Sequence, residues 1–483
     1  MSADTGGRYL LKTLGCKANL YDSQLLESEL QKKGWLAADL QSGADADLCI
    51  INSCTVTDEA DKQSRKLATR LLKDHPRAKV VITGCAAEVD PELMAETPGI
   101  HYVVGNRDKP DLVNLVLASL ASKQESGILG RASNYDEMIS RHPIDREWAT
   151  PEAAFMVPPA RHRGEAGRTR TFLKIQEGCN SFCTYCVIPY GRGPSRSLGI
   201  SEIVSQIKEL VGQGVQEVVI TGTNVGDYGI DWNSKPAVTE LFETIFTETH
   251  LPRLRVSSLD PTEITPELFA LMRREPRFQP HFHVSLQSPH SKILKLMKRK
   301  YQWEQVKECL NAIADLPAPI GGPFVGMDLI TGFPGETLED FEWGREALAV
   351  LPWSRLHVFP FSERKGTPAT RLPGSVPQQE RVRRAGVLRD MSFERLKQSH
   401  HEILESCQKH SRPLDRVLFE SKTRGPSPGI WVAGHSANYL RVLVPVKSEE
   451  EALALNNKIL PVLPTSLISD SASGEVAYIG SLA

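Results

Sequence analysis

The sequence predicts an α/β protein in three parts: a parallel α/β domain over residues 1–122, a partial (β/α)6 barrel over 169–409 and a small β-barrel over 410–483. Three observations predict this division. Short apolar runs alternate with helix-like stretches in the first part, and a second alternation begins near residue 170. After residue 410 the pattern changes to short strands separated by turn residues. A chain of 483 residues is also too long for one compact domain.

The composition is that of an ordinary globular protein, with 40% hydrophobic and 24% charged residues. A net charge of −2 excludes binding of a polyanion by bulk charge, so any nucleic-acid surface must be local. The chain begins without a secretory signal pattern and has no run of 18 apolar residues, which predicts a cytoplasmic protein with no membrane partner. Nine cysteines in that reducing setting indicate metal binding or catalysis rather than disulfides. Cys309 and Cys407, on predicted helices, are expected to bind no ligand.

The first domain contains three apolar runs that we expect to be buried parallel strands, because they are short, continuous and rich in branched residues. They are YLLKTL (9–14), LCIIN (48–52) and KVVIT (79–83). After the first run, SQLLESELQKKG predicts a helix with Ser23 as its N-cap and Gly34 at its end.

A cysteine follows the end of each of these strands: Cys16, Cys54 and Cys85. The carboxyl ends of parallel strands share one edge of a sheet, and open α/β sheets bind ligands there. The three thiols are therefore able to converge although they are 38 and 31 residues apart in the chain. Cys49 falls inside its strand and is expected in the core.

Residues 123–168 lose the alternation and collect Pro, Ser, Arg and Glu, which indicates a linker or surface excursion. Six strand candidates follow, separated by helical stretches. Six βα units fit a partial barrel, because a complete eight-stranded barrel needs more chain, and functional groups are expected at the carboxyl ends of its strands. The candidates are TFLKI (171–175), EVVIT (217–221), RLRVSS (253–258), HFHVSL (281–286), GMDLIT (326–331) and RLHVFP (355–360).

The C-terminal part begins with a basic, helical stretch over 381–409. Short strands with turn signals then run to residue 480, which predicts a small β-barrel. Residues 410–447 contain six basic residues and only two acidic ones, and this excess of positive charge favours RNA binding. The six are Arg412, Arg416, Lys422, Arg424, Arg441 and Lys447.

Directly after the first barrel strand, residues 178–193 read GCNSFCTYCVIPYGRG and space Cys179, Cys183 and Cys186 as C-x3-C-x2-C. No fourth Cys or His follows at local ligand spacing. A [4Fe–4S] cluster held by three thiolates leaves one iron open for a ligand from outside the protein. The alternative is a zinc knuckle that a distant residue completes.

This spacing, with Tyr185 before the last cysteine, resembles the radical S-adenosylmethionine (SAM) superfamily. The resemblance implies that the open iron binds SAM, which is cleaved to a 5′-deoxyadenosyl radical. The trailing IP, RG and RS are similar to those of methylthiotransferases. Other segments similar to that family are VVITGTNVGDYG (218–229), RVSSLDP (255–261), HVSLQS (283–288), LMKRKY (296–301), MDLITGFPGET (327–337) and HVFPFSERKGTPA (357–369).

Methylthiotransferases have an N-terminal α/β domain with three cysteines, a radical SAM barrel and a C-terminal TRAM β-barrel that binds RNA. The resemblance implies that Cys16, Cys54 and Cys85 hold a second [4Fe–4S] cluster, which delivers sulfur. One SAM would methylate that sulfur, and a second would supply the radical that takes hydrogen from carbon 2 of an adenine. Implied partners are the tRNA anticodon loop, an electron donor such as flavodoxin or ferredoxin, and a sulfur donor of unknown identity.

TLGCKAN and NSCTVTDEADKQSRK resemble the branch that acts on N6-threonylcarbamoyladenosine beside the anticodon, at position 37. The isopentenyladenosine branch would show GCQMN and NTCSIR at these places. That branch and the one acting on a ribosomal-protein aspartate remain alternatives, and a non-catalytic zinc RNA-binding protein is a more distant one. LQSPH departs from the family, because Pro289 stands where Gly is usual after LQS.

The family resemblance also suggests which side chains contact its cofactor and RNA, but it assigns no catalytic side chain. Expected SAM contacts are Tyr185, Thr221, Gly222, Ser257, Gln287 and Asp328. Basic residues expected near the barrel mouth, as phosphate contacts, are Arg192, Arg196, Lys298, Arg299, Lys300, Arg364 and Lys365.

Overall fold

The computed structural model describes residues 6–38, 45–122, 124–131, 148, 169–232 and 238–483. The first part is a parallel sheet in the order β2-β1-β3-β4-β5-β6, as the apolar runs predict. Its strands are β1 (Arg8–Thr13), β2 (Leu36–Ala37), β3 (Leu48–Ser53), β4 (Lys79–Gly84), β5 (Tyr102–Val104) and β6 (Gly127–Leu129). Its helices are α1 (Lys17–Lys32), α2 (Asp58–Asp74), α3 (Cys85–Val89), α4 (Pro91–Ala95) and α5 (Leu112–Ala121).

Helices cover both faces of this sheet. Along β3, Leu48 and Ile50 pack with α1 and α5, while Cys49 and Ile51 pack with α2 on the other face. Successive side chains of a strand point to opposite faces, so a strand covered on both sides is apolar throughout rather than alternating. Cys49 is therefore a core residue, as expected.

Helix α1 begins at Lys17, immediately after Cys16, and not after Ser23. The predicted N-cap is wrong because Ser23 lies inside the helix, where its hydroxyl accepts a 3.0 Å hydrogen bond from Asn52 Nδ2 of β3. Gly34, with φ +80°, follows the end of the helix as predicted. The early start of α1 gives the residue after Cys16 a fixed helical position.

Strand β6 lies in the segment 123–168 that the sequence predicts to be a linker. It pairs in parallel with β5, so the sheet extends past residue 122. Residues 132–147 and 149–168 lie outside the described part of the chain, and the linker remains a prediction there.

The second part contains all six predicted strands, in two sheets ordered β10-β9-β7-β8 and β11-β12-β13-β14. The two sheets meet at Ser257, and the barrel is open because no pairing among the described residues joins the β7–β8 edge to β14 at the other edge. The short β8 adds to β7 in antiparallel pairing. The strands are β7 (Arg170–Glu177), β8 (Arg196–Ser197), β9 (Glu217–Gly222), β10 (Arg253–Val256), β11 (Ser258–Leu259), β12 (His281–Gln287), β13 (Phe324–Thr331) and β14 (Arg355–Pro360).

The helices of this part follow the strands along the chain. They are α6 (Ile188–Arg192), α7 (Ile200–Gly212), α8 (Val238–Glu248), α9 (Pro266–Arg274), α10 (Ser291–Leu296), α11 (Trp303–Ala314), α12 (Leu338–Ala349) and α13 (Gln378–His410). Within the ranges that the structure describes, we find no helix with the length and apolar character needed to cross a membrane.

The third part is a closed barrel in the order β15-β16-β17-β19-β18, which confirms the predicted small β-barrel. Two of the six basic residues counted in the sequence are ion-paired within the barrel: Lys422 with Glu449 and Arg441 with Glu475. The expected basic surface is therefore weaker than the residue count indicates. The elements are β15 (Leu414–Thr423), β16 (Ile430–His435), β17 (Arg441–Val446), α14 (Glu449–Leu455), β18 (Ile459–Asp470) and β19 (Glu475–Leu482).

Buried arginines hold this small barrel against the strands of the second part. Arg253 and Arg255 both donate to Glu217 Oε2, at 2.8 and 3.0 Å. Their remaining donors reach the carbonyl oxygen of Ser436, at 3.1 and 2.8 Å. All three charged side chains are at most 2% exposed, so the contact is dry and fixes the third part against the second.

Candidate functional site

The thiols of the first domain converge at the carboxyl edge of the sheet, as the strand ends predict. Gly15 has φ +95°, and a Cβ there would lie 2.8 Å from Cys54 Sγ, so the chain passes this thiol only as glycine. Burial raises the pKa of the Cys54 thiol to about 12, and the nearby Cys85 and Cys16 thiols act in the same direction. The three residues, which we name the auxiliary triplet, are thus neighbours; their role as cluster ligands remains a prediction.

The second cysteine set, Cys179, Cys183 and Cys186, lies in the loop between β7 and α6 and is named the radical triplet. Backbone N–H groups donate to two of its sulfurs: that of Ser181 to Cys179 Sγ and that of Ile188 to Cys186 Sγ, both at 3.4 Å. Donors of this kind stabilise thiolate ligands of iron–sulfur clusters, so the loop fits such a group. Burial raises the pKa of Cys179 and Cys186, and binding of metal must therefore displace their protons.

A charged side chain completes the donors around the radical triplet. Arg299 Nη1 donates to Cys183 Sγ at 3.1 Å, and the same guanidinium is ion-paired with Asp260. No group of three His, Cys, Asp or Glu side chains in the described ranges is arranged to hold a single metal ion. A cluster differs from a single ion because each of its irons takes a separate thiolate, so its ligands need not point at one atom.

The two triplets are joined by direct contact between α3 and α6. Asn106 Nδ2 donates to the carbonyl oxygen of Gly191 at 2.6 Å and to Cys85 Sγ at 3.5 Å. A Cβ at Gly191 would lie 3.5 Å from Cys85 Cβ, which shows how closely the chains approach. Sequence reasoning missed Asn106, because a single Asn in a loop has no distinguishing pattern.

A buried network of charges fills the space beneath this contact. Asp22 Oδ2 accepts from Lys109 Nζ at 3.0 Å and Oδ1 from Lys174 Nζ at 2.6 Å, while Arg192 pairs with Asp22 and Glu177. Burial by itself raises the pKa of Asp22, but the three cations overcome that effect and hold it well below its usual range. Lys174 was a missed signal, because it is a charged residue inside the predicted strand 171–175, whereas Glu177 falls just beyond that strand.

Three of the expected phosphate contacts are instead structural. Arg192 is 3% exposed and belongs to the buried network, and Arg299 serves Cys183. Arg364 Nη2 donates to Thr55 Oγ1 at 2.5 Å and to Asp61 Oδ2 at 2.6 Å, joining the barrel to α2. For these three the expectation is wrong, because each guanidinium is already used within the protein. The other expected contacts, Arg196, Lys298, Lys300 and Lys365, remain predictions.

All three parts of the chain surround one cavity of about 1060 Å³. The first part contributes two cysteines of the auxiliary triplet, Cys16 and Cys54, and the third contributes Glu420, His435 and Tyr439. Of the six expected SAM contacts, four at barrel strand ends and in the lumen also line it: Thr221, Gly222, Ser257 and Asp328.

The other two expected SAM contacts do not line this cavity. Tyr185 packs edge-on against Phe333, with ring centroids 6.3 Å apart. Gln287 ends β12 with a left-handed backbone, φ 63°. The cavity therefore brings together four of the six, and the SAM role of all six remains a prediction.

A pair of histidines faces the lumen and was missed by sequence reasoning. His283 Nε2 lies 2.8 Å from Asp328 Oδ2, and the His283 ring stacks on His357 at 5.3 Å. Burial lowers the pKa of His357 to about 4, so this ring is neutral near pH 7. The alternation HFHVSL and RLHVFP contains the signal, since His283 and His357 occupy lumen-facing positions of predicted strands.

Pro289, which departs from the family pattern, packs against a glycine of the neighbouring helix α12. A Cβ on Gly344 of α12 would lie 2.6 Å from Pro289 Cγ. The proline ring thus occupies space that exists because residue 344 has no side chain.

Comparisons with known proteins agree with this architecture. Residues 173–343 match the radical SAM superfamily, and residues 8–105 match the uncharacterized protein family UPF0004. The chain is 35% identical over 388 residues to the threonylcarbamoyladenosine tRNA methylthiotransferase MtaB of Aquifex aeolicus, covering 79% of this chain and 86% of that protein. It is 33% identical over 435 residues to the MtaB of Bacillus subtilis, covering 89% of each.

Among solved structures, the fold is similar to that of the radical SAM methyltransferase TsrM from Kitasatospora setae. The TM-score is 0.52 at 14% identity, covering 76% of this chain and 77% of that one. At this identity the likeness supports the fold alone.

Proposed function

The chain belongs to the radical SAM methylthiotransferase family, and from that premise we propose that it converts N6-threonylcarbamoyladenosine at tRNA position 37 into its 2-methylthio derivative. It is an enzyme that transfers methylthio groups, and its relatives modify tRNA. The observation that carries the finer proposal is the cavity, which has auxiliary cysteines on one side and barrel strand ends on the other. A base in that cavity would contact the auxiliary cysteines and the barrel strand ends, whereas the three cysteines of the radical triplet are not among the residues that line it.

We assign one [4Fe–4S] cluster to the radical triplet and a second to the auxiliary triplet. When SAM is bound, it supplies the methyl group and the radical that removes hydrogen from carbon 2. The chain's own residues orient the ligands and exclude water. Arg299 and two backbone N–H groups hold the radical triplet, while the Asn106 amide fixes Cys85.

A base of a single-stranded loop is accessible because it is able to leave its stack and enter a pocket. The rim of the cavity carries two apolar side chains in contact with solvent, Phe359 and Val56, which are 46% and 55% exposed. An aromatic face is a stacking surface for any base, with each stacked base worth about 1–3 kcal/mol. Phe359 therefore suits a base of the anticodon loop.

The remaining partners follow from the reaction. Radical formation from SAM needs one electron, for which we propose a flavodoxin or ferredoxin, and each turnover needs a new sulfur atom from a donor. A tRNA substrate is found in the cytoplasm, which is the location that we propose for this enzyme.

The test is a reaction of the reconstituted enzyme with three substrates under reducing, oxygen-free conditions. They are anticodon stem–loops bearing threonylcarbamoyladenosine or isopentenyladenosine, and a ribosomal-protein peptide with the target aspartate. The first alone is expected to gain a methylthio group, with about eight irons per chain from two clusters. Modification of either alternative substrate instead would overturn the assignment, and zinc without iron would overturn the cluster chemistry.

A further inference from the structure

Lys17 is the first residue of α1 and directly follows Cys16. Its half-buried side chain lines the cavity. No residue in the described ranges forms a hydrogen bond or an ion pair with its ammonium group. A cation without a counter-ion in a partly dry site is unfavourable by itself, so this arrangement suits an anion that arrives with the substrate.

The carboxylates of the cavity are already engaged. Asp328 lies 2.8 Å from His283 Nε2, and Glu420 pairs with Arg170 Nη2 at 3.0 Å. Glu475, the third lining carboxylate, is paired with Arg441. The lumen around Lys17 therefore offers positive charge without a free partner.

The charges near Lys17 reinforce this. Arg170 and Arg255 act on it as like charges, while Asp328 is the opposite charge that faces it. The charge of Lys17 also acts on the neutral His281 and His357 rings of the lumen. Because Arg170 and Arg255 are already paired with Glu420 and Glu217, Lys17 is the one of these three cations that has no ion-pair partner among the described residues and is left for an incoming anion.

We propose that Lys17 binds the carboxylate of the threonylcarbamoyl group and thereby selects a carboxylate-bearing adenosine over an apolar one. The inference rests on the proposed function. It names a specificity residue in this site: the lysine beside the first cysteine of the auxiliary triplet.

The chemistry of the base agrees with the position of Lys17. In adenine, carbon 2 and the N6 substituent lie on either side of ring atom N1. A base whose carbon 2 faces Cys16 and Cys54 directs its N6 substituent away from them, into the lumen. Lys17 and Asp328 both line that lumen, close enough for the charge of Asp328 to act on Lys17.

The expected effect is set by a charge-assisted hydrogen bond, whose removal from a buried site corresponds to a loss of about 10- to 100-fold in kcat/KM. The probes are two anticodon stem–loops that differ at one group: one carries the natural threonine carboxylate and the other its carboxamide. Each is measured for methylthio product and, with the metal-free protein, for binding by fluorescence anisotropy. The wild type is expected to prefer the carboxylate in both.

The variant is Lys17→Gln, with Lys33→Gln as the matched control. Lys33 is exposed just past the end of the same helix, so its substitution removes the same charge away from the cavity. Lys17→Gln is expected to lose the preference for the carboxylate, with little change on the carboxamide. SAM cleavage without substrate and iron content should match the wild type.

The proposal is overturned if the wild type modifies and binds the carboxylate and carboxamide stem–loops equally well. It is also overturned if Lys17→Gln loses the same factor in kcat/KM on both stem–loops. Arg355 is a second lining cation for which the described residues provide no ion pair, and it tests the rival explanation. If Lys17→Gln fails to assemble its iron, Arg355→Gln decides: a preference that persists there supports Lys17, and one that vanishes overturns it. Methylthiolation of the isopentenyl stem–loop alone would instead refute the proposed function.

Discussion

The side-chain amide of Asn106 donates a 2.6 Å hydrogen bond to the carbonyl oxygen of Gly191, and the same nitrogen lies 3.5 Å from Cys85 Sγ. Gly191 belongs to the helix that follows the radical triplet, and Cys85 begins a helix of the first domain. One amide therefore bridges the two segments that carry the thiol sets. Radical chemistry and sulfur transfer on one base require the separation of the two thiol sets to be fixed.

Asn106→Ala is expected to lower methylthio product formation about 10- to 100-fold, the usual effect of removing an outer hydrogen bond to a ligand. Cleavage of SAM without substrate should persist, because the radical triplet keeps its own donors. The measurement is the ratio of product to 5′-deoxyadenosine.

Asn114→Ala is the control, since Asn114 is an exposed amide that bonds only Asp111 among the residues described. An unchanged ratio in Asn106→Ala would show that the link has no role in the reaction.

Substitutions in the two triplets should impair different steps of the reaction. Cys183→Ala is expected to abolish 5′-deoxyadenosine formation, whereas Cys54→Ala should spare SAM cleavage but stop sulfur insertion. Each variant should lose about four of about eight irons. Cys407→Ala, at a buried cysteine of α13 remote from both triplets in the chain, should keep all of them. Survival of both activities in Cys54→Ala would remove Cys54 from the ligands.

The sequence predicted those elements whose signal is local. Three strand ends followed by cysteines placed Cys16, Cys54 and Cys85 together, because parallel strands share an edge. It misplaced the start of α1, since the Ser23 hydroxyl bonds to Asn52 of the neighbouring strand, a contact that exists only once the sheet has formed. The roles expected for Arg192 and Arg364 were wrong for the same reason: their partners Asp22 and Asp61 lie 170 and 303 residues away in the chain.

Gly344→Ala is expected to lower the melting temperature. Its Cβ would meet Pro289 Cγ at 2.6 Å, and overpacking costs about 1–3 kcal/mol, which outweighs a gain of about 1 kcal/mol in helix propensity. In a Pro289→Ala background the same substitution should become stabilising. Gly386→Ala is the matched control, because that helical glycine has open space around it and should gain stability directly.

Additive effects of the Pro289 and Gly344 substitutions in thermal unfolding would contradict this contact. They would also mean that Gly344 does not explain how the structure accommodates Pro289.

The contact between α13 and the small barrel should weaken in acid. His400 is 4% exposed, its Nδ1 lies 2.8 Å from the Leu396 carbonyl oxygen, and its ring stacks on Tyr478. Burial lowers its pKa to about 4, below the value of about 6.5 in an unfolded chain. Stability is thus full above pH 6.5 and falls as the pH drops toward 4, because only the unfolded chain takes up the proton.

The loss attributable to this group is at most about 3 kcal/mol. Melting curves between pH 7 and pH 4 should show a shallower fall for His400→Gln than for the wild type. His401→Gln, at the exposed neighbouring position, should follow the wild-type curve. Identical slopes for His400→Gln and the wild type would mean that His400 already carries its proton in the folded protein.

The lumen shows why the substrate site was harder to predict than the cysteines. Lys17 follows Cys16 in the sequence, but its significance depends on Asp328 and Glu420 already having partners, which no local pattern reveals. The spacing of cysteines can be read from the sequence alone. A cation without an ion-pair partner can be identified only once the positions of the neighbouring charged side chains are known.

We propose that this chain adds the 2-methylthio group to threonylcarbamoyladenosine in tRNA. The most direct measurement is mass-spectrometric analysis of tRNA nucleosides from a strain lacking the gene, complemented with the wild type or with Cys54→Ala. We predict that threonylcarbamoyladenosine accumulates unmodified in the deletion, that the wild type restores its 2-methylthio form, and that Cys54→Ala does not. Persistence of the 2-methylthio form in the deletion strain would contradict the proposed substrate.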